Sequence, residues 1–122
     1  LAIESDYGTF HPTGYAFTGK KKAEEILESV VGLLKQTVGE MTIKTPGGGA
    51  DIGPLMKEGV PGAALTHQSE QYFWYHHSPA DTLDKIDRAH FQRDVAGMAL
   101  MTWVLAEWPD LPRVQRTLGG HP

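Results

Sequence analysis

Two clusters in this chain combine residue types that bind metal ions. Near the middle it reads Tyr75-His76-His77-Ser78-Pro79-Ala80-Asp81-Thr82, a histidine with an Asp-Thr pair four residues later, and at its start Leu1-Ala2-Ile3 runs into Glu4-Ser5-Asp6. Imidazole and carboxylate are ligands of divalent cations, and both clusters fall where a strand pattern gives way to a loop. Rigid strands aim side chains while loops leave room for a bound molecule, so the clusters read as a metal site at the edge of a sheet, or as half of one. Adjacent residues of an extended segment point opposite ways, which lets one of His76 and His77 face a metal while the other supports the loop. Asp81 is placed to accept the ring N–H of the ligating histidine or to pin the loop; Asp81-Thr82 also reads as shaping the turn into the final helix, and the two roles are compatible. Glu4 shares a strand face with Asp6 if the strand runs that far, a paired-carboxylate arrangement that nothing else in the sequence supports.

The other chemistry-bearing residues read as structural. His11 beside Pro12, His90 early in a helix and His121 near the last residue are expected at the surface, and His67 as a hydrogen-bonded residue at a strand end. The chain has no cysteine, which removes disulfides and thiolate ligands, and no Gly-x-Ser-x-Gly elbow for a serine nucleophile. The run Thr45-Pro46-Gly47-Gly48-Gly49-Ala50-Asp51 lacks the Lys-Ser/Thr of a phosphate loop. It reads as a flexible connection, or as a place where backbone passes close to a bound ligand.

The elements that must position these residues follow from periodicity. Leu1–Ile3 is a strand, followed by a long exposed loop through Gly8, Pro12 and Gly14. Over 19–38, apolar residues at Ala23, Ile26, Leu27, Val30, Val31, Leu34 and Val38 draw one helical stripe, with Lys20, Lys21 and Lys22 on a solvated face. Met41–Lys44 alternates as a strand near a sheet edge, and a short helix over 52–58 ends at Gly59. Pro61–Thr66 has the small apolar residues of a central strand covered on both faces. A loop over 68–82 with four consecutive aromatics leads to a helix capped by Asp87 and running to about Glu107. That helix is apolar nearly all round, so it is expected to be covered on two sides. The tail from Asp110 to Pro122 is expected to fray.

The alternation of strand and helix predicts an α/β protein, a three-layer βαβαβα arrangement. At 122 residues, 40% hydrophobic and 21% charged, it forms one domain with a real core. A net charge of −4 built from dispersed groups leaves no basic stripe for nucleic acid. No stretch approaches the roughly 18–20 apolar residues of a membrane span. A chain that opens inside a strand without methionine reads as a piece of a longer polypeptide.

Several motifs together resemble one family. Glu4-Ser5-Asp6-Tyr7-Gly8-Thr9-Phe10-His11-Pro12-Thr13-Gly14, the Gly48-Gly49-Ala50-Asp51-Ile52 loop, Gly59-Val60-Pro61-Gly62-Ala63, and Phe73-Trp74-Tyr75-His76-His77-Ser78 with Asp81-Thr82 look like the C-terminal part of the M28 zinc peptidases. The resemblance runs from Leu1 to about Pro112, so residues 1–112 are expected to be the C-terminal part of such a catalytic domain and 113–122 a flexible tail. It implies the three-layer M28 fold, of the phosphorylase/hydrolase-like type, and a secreted or periplasmic exopeptidase acting on peptides or dipeptides through two zinc ions and a metal-bridged water. Asp6 maps to a ligand of one zinc and His77, in the register set by Asp81, to a ligand of the other. Asp51 and Tyr75 would wall the substrate pocket, although the aromatics could equally form a buried cluster packing the loop onto the sheet.

The family's remaining ligands and its general-base glutamate have no counterpart in this chain. No residue here is therefore assigned as catalytic, and the 122 residues alone are expected to be inactive. Two alternatives are a noncatalytic M28-like interaction domain and a glutaminyl-cyclase-like transferase. An open sheet edge and an uncovered helix face would also favour self-association into a homo-oligomer.

Overall fold

A computed structural model describes residues 1–109. In chain order the elements are β1 (Ala2–Glu4), β2 (Pro12–Thr18), α1 (Lys21–Leu34), β3 (Thr42–Lys44), α2 (Gly53–Lys57), β4 (Gly62–His67), α3 (Tyr72–Tyr75), a 3₁₀ turn at Leu83–Lys85, and α4 (Arg88–Glu107). The four strands form one mixed sheet in the order β1-β4-β2-β3. β1 runs parallel to β4 and β2 parallel to β3, while β2 and β4 are antiparallel.

The mixed α/β class is as expected, with one strand more than the sequence pattern suggested. β2 lies where a loop was expected, because Pro12 and Gly14 read as turn residues. Pro12 instead opens the strand, a position where its missing N–H costs little, and the pairing with β4 slips between Pro12 and Gly14. Gly14 has φ +147°, and a Cβ there would lie 1.9 Å from the Thr42 carbonyl oxygen. The glycine marks a close approach of two backbones in the sheet rather than a chain reversal.

Tyr15 and Phe17 of β2 sit opposite Leu65 and Ala63 of β4, and all four are fully buried on one face. α1 and α4 cover that face. Every residue of the expected α1 stripe is buried, from Ala23 to Val38. The helix itself stops at Leu34, whose carbonyl accepts from Thr37 and Val38 in a closing turn before Gly39 at φ +109°. Met101 and Leu105 carry α4 into the same core.

The opposite face is covered more thinly, by the glycine-rich loop and α2. A Cβ on Gly47 would meet the Ala16 backbone at 1.9 Å, and one on Gly62 would meet Met56 Sδ at 2.3 Å. β4 is the central strand expected for 61–66, and Gly62 to Leu65 are all buried. β3 takes the sheet edge. The tail expected over 113–122 and the end of the expected domain at Pro112 lie outside the described residues. Among those described, no helix is long and apolar enough to cross a membrane.

Candidate metal-ligand cleft

The parallel register aligns Glu4 with Ala64. Asp6, two residues beyond, therefore emerges at the carboxyl ends of β1 and β4, the rim where α/β sheets present functional groups. β4 feeds the segment through α3 to His77 from the same rim. The two loops enclose a cleft of about 1020 Å³, and Asp6, Tyr75, His76, His77 and Asp81 all line it. α4 forms its far wall with Phe91, Val95, Met98 and Trp103.

His77 occupies an unusual backbone position. His76 has φ −48° and ψ 122°, His77 has φ +52°, and the Ser78 amide donates to the Tyr75 carbonyl at 3.0 Å. These angles and the hydrogen bond define a type II turn, whose third residue is ordinarily glycine or asparagine. A histidine there carries strain. Its ring stacks on His76 with centroids 3.8 Å apart and 20° between planes.

Asp81 is exposed; its amide donates to the Ser78 carbonyl at 3.0 Å, and among the described residues no hydrogen bond joins its carboxylate to an imidazole. Thr82 donates to the Asp84 carboxylate. The structure thus places Asp81 in the cleft wall and in a turn, one of the two compatible roles read from sequence.

Asp51 does not line this cleft. It stands just before α2 on the glycine-rich side, where its amide and that of Ile52 donate to Glu4 Oε2 at 3.1 and 3.0 Å. A Cβ on Gly49 would fall 1.2 Å from Glu4 Oε1, so the glycine loop folds closely over this carboxylate and a side chain there would push the carboxylate aside. Glu4 is consumed by holding that loop and is not paired with Asp6. The loop's close approach is to a protein carboxylate.

The aromatic run is not the buried cluster considered from sequence. Phe73 is 79% and Trp74 65% exposed, while Tyr72 and Tyr75 are half-buried against the cleft. The loop is too short to bring four consecutive rings onto one face, since α3 is a single helical turn that points them around its axis.

A polar group that sequence reading passed over lies beneath the cleft. Asp94 on α4 is 5% exposed, and its Oδ1 lies 3.1 Å from Nε2 of the buried His67. Among the described residues, Asp94 Oδ2, His67 Nδ1 and the Tyr15 hydroxyl are buried without a partner. Burial pushes the Tyr15 phenol well above its ordinary range, and the nearby Asp94 charge adds to the shift. The signal in the sequence was an acid inside the apolar stripe Phe91, Val95, Met98; such an acid needs a buried partner, and His67 at a strand end supplies it.

Two ligand-type side chains do not close a metal cage. Among the described residues, no three His, Asp or Glu side chains come together in a way that could hold an ion. The described residues by themselves do not fit a four-coordinate zinc centre.

The profile of Peptidase family M28 matches residues 1–102. The chain is 40% identical to carboxypeptidase Q of Homo sapiens over 114 residues, which are 93% of this chain and 24% of that protein. Carboxypeptidase Q of Bos taurus gives the same identity and coverage, and that of Xenopus laevis 39% identity over the same length. The chain thus spans about a quarter of the relatives it matches. No solved structure matches it at a significant level.

Proposed function

Since this chain belongs to peptidase family M28, we propose that it is the C-terminal part of a zinc-dependent exopeptidase domain, close to carboxypeptidase Q, that hydrolyses peptides or dipeptides. In this reading Asp6 and His77 each give one ligand to a different ion of a dizinc centre, and the other ligands and the general base lie in polypeptide beyond these 122 residues. The observation that carries it is the convergence of Asp6 and His77, 71 positions apart in sequence (77 − 6), on one cleft at the carboxyl rim of a β1-β4 pair. When bound, zinc would acidify water and polarise the scissile carbonyl. This chain's part is to hold two ligands, wall the substrate space with Tyr75, and exclude water along the apolar face of α4. A secreted or periplasmic setting belongs to the same proposal.

The test uses a longer polypeptide that contains this chain. Asp6→Ala and His77→Ala are each expected to lower dipeptide turnover by more than about a hundredfold, beyond what loss of an outer hydrogen-bonding partner causes, with thermal unfolding nearly unchanged. Retained turnover would mean that the wrong residues carry the metals. The 122-residue chain supplied with zinc or cobalt is expected to show no enzyme-like hydrolysis; turnover by it alone would overturn the split of the site across a longer polypeptide. A longer polypeptide that binds no zinc and cleaves nothing would instead favour a noncatalytic interaction domain.

A further inference from the structure

Tyr72 stands between the two loops of the cleft and touches both. Its ring stacks on His76, with centroids 4.6 Å apart and 29° between planes, and His76 stacks on His77. Tyr7, the residue after Asp6, packs against Tyr72 with ring centroids 5.7 Å apart. The Tyr72 hydroxyl lies 3.5 Å from the Asp6 carbonyl oxygen, to which it donates in a long hydrogen bond. A Cβ on Gly8, at φ +75°, would lie 3.6 Å from Tyr72 Cδ2, so the Asp6 loop runs close along this ring.

Among the described residues the two loops are otherwise tied at their bases, where the Gln68 amide donates to the His11 carbonyl at 2.9 Å, and Phe73 lies edge-on to Tyr72 and His76. α3 has four residues, too few for a helix to persist on its own, and Phe73 and Trp74 beside Tyr72 face solvent. Asp6 and His77 are themselves exposed. A side chain of that kind moves among rotamers unless its neighbours fix it, and a ligand placed an ångström off loses its function.

We propose that Tyr72, acting through His76, is a positioning residue that braces the His77 imidazole against the Asp6 loop, so that two segments distant in sequence keep a fixed spacing. The brace stands on ring contacts alone; its value to metal binding rests on the functional reading above. It also gives His76 a role. Of the adjacent histidines, His76 is the spacer ring and His77 the one presented at the corner of the turn.

The test is proton NMR on the whole 122-residue chain without metal, reading the histidine ring signals and the contacts between the His76 and His77 rings. In the native chain the stacked rings shield one another, so the His77 Hδ2 and Hε1 signals are expected upfield of free imidazole. Tyr72→Ala should move them back toward the free position and weaken the cross-peaks between the His76 and His77 rings, while Tyr72→Phe should preserve both. His76→Phe should keep the shielding of His77 and His76→Ala lose it. Trp74→Ala, a neighbour outside the stack, should change nothing. If Tyr72→Ala fails to fold, Tyr72→Leu keeps the bulk without the aromatic face and is expected to lose the shielding in the same way. A natively dispersed Tyr72→Ala or Tyr72→Leu spectrum with unmoved His77 signals would overturn the brace. The ligand reading is tested separately, by the zinc content and dipeptide turnover of Asp6→Ala and His77→Ala in the longer polypeptide. Full zinc and turnover in both variants there, with the ring shifts of this chain behaving as expected, would support the brace and count against the ligand assignment.

Discussion

His77 stands where glycine would fit at lower cost. Its positive φ is one that side chains with a Cβ seldom adopt, at a penalty of order 1 kcal/mol. Replacing it by glycine removes that penalty but loses the stack on His76 and loosens the unfolded chain, so His77→Gly is expected to leave urea stability unchanged or raise it by up to about 0.5 kcal/mol. A loss of more than about 1 kcal/mol would show that the imidazole is there to support the fold. The contrast is Asp94, which is paired and buried. Asp94→Ala leaves His67 without its partner in the core and is expected to cost about 3 kcal/mol. Replacing both members together by apolar residues of matching volume should recover most of that loss, and failure to recover it would indicate that the pair, rather than packing, holds α4 to the sheet.

At the level of elements, legibility depended on how local the determining forces were. The α1 stripe, the β4 run of small residues and the Asp87 cap are written in spacing and residue type, and each stands in the fold where its pattern put it. β2 was hidden because its Pro12 and Gly14 answer to the neighbouring strands β4 and β3, which local periodicity does not contain. The site divided in the same way. Asp6 and His77 were legible as residue types able to bind metal, Asp6 just past a strand but His77 beyond the single turn of α3 rather than at the strand end expected for it, while the use of Glu4 by the glycine loop and the pairing of His67 with Asp94 depend on contacts across 47 and 27 positions. The cap offers a pH test. Asp87 accepts the His90 amide at 2.8 Å, and that bond holds its carboxyl below the ordinary carboxylate range. A depressed carboxyl stabilises the folded state fully above its unfolded pKa and loses that contribution as pH falls through the folded one. Asp87→Ala is therefore expected to lower the melting temperature by several degrees at neutral pH and by progressively less in acid. An equal deficit at every pH would assign the loss to packing.

Across the whole molecule the apolar surface is unevenly distributed. The core lies between the sheet and α1, whereas the outer side of α4 leaves Trp103 70% exposed, with Val95 and Phe91 also open beside the cleft. Leu83 and Ile86 extend this surface. Contiguous exposed apolar area of this kind drives association, so sedimentation velocity is expected to show the 122-residue chain self-associating as concentration rises. Trp103→Glu should return it to the monomer. A concentration-independent monomer for the native chain would mean that the face is tolerated in water as it stands.

The strand order carries a last consequence. Among the described residues β4 and β2 are the two inner strands, and β4 carries an unbroken run of fully buried residues from Ala63 to Leu65, while β1 and β3 each leave one edge open. In deuterated solvent, amides from Ala63 to Thr66 should be the slowest in the chain to exchange, with those of β1 and β3 labelled far sooner. The rim that carries Asp6 and His77 thus grows from the most slowly opening strand and from one of the fastest, an asymmetry in local opening that would let the Asp6 side yield while the His77 side holds.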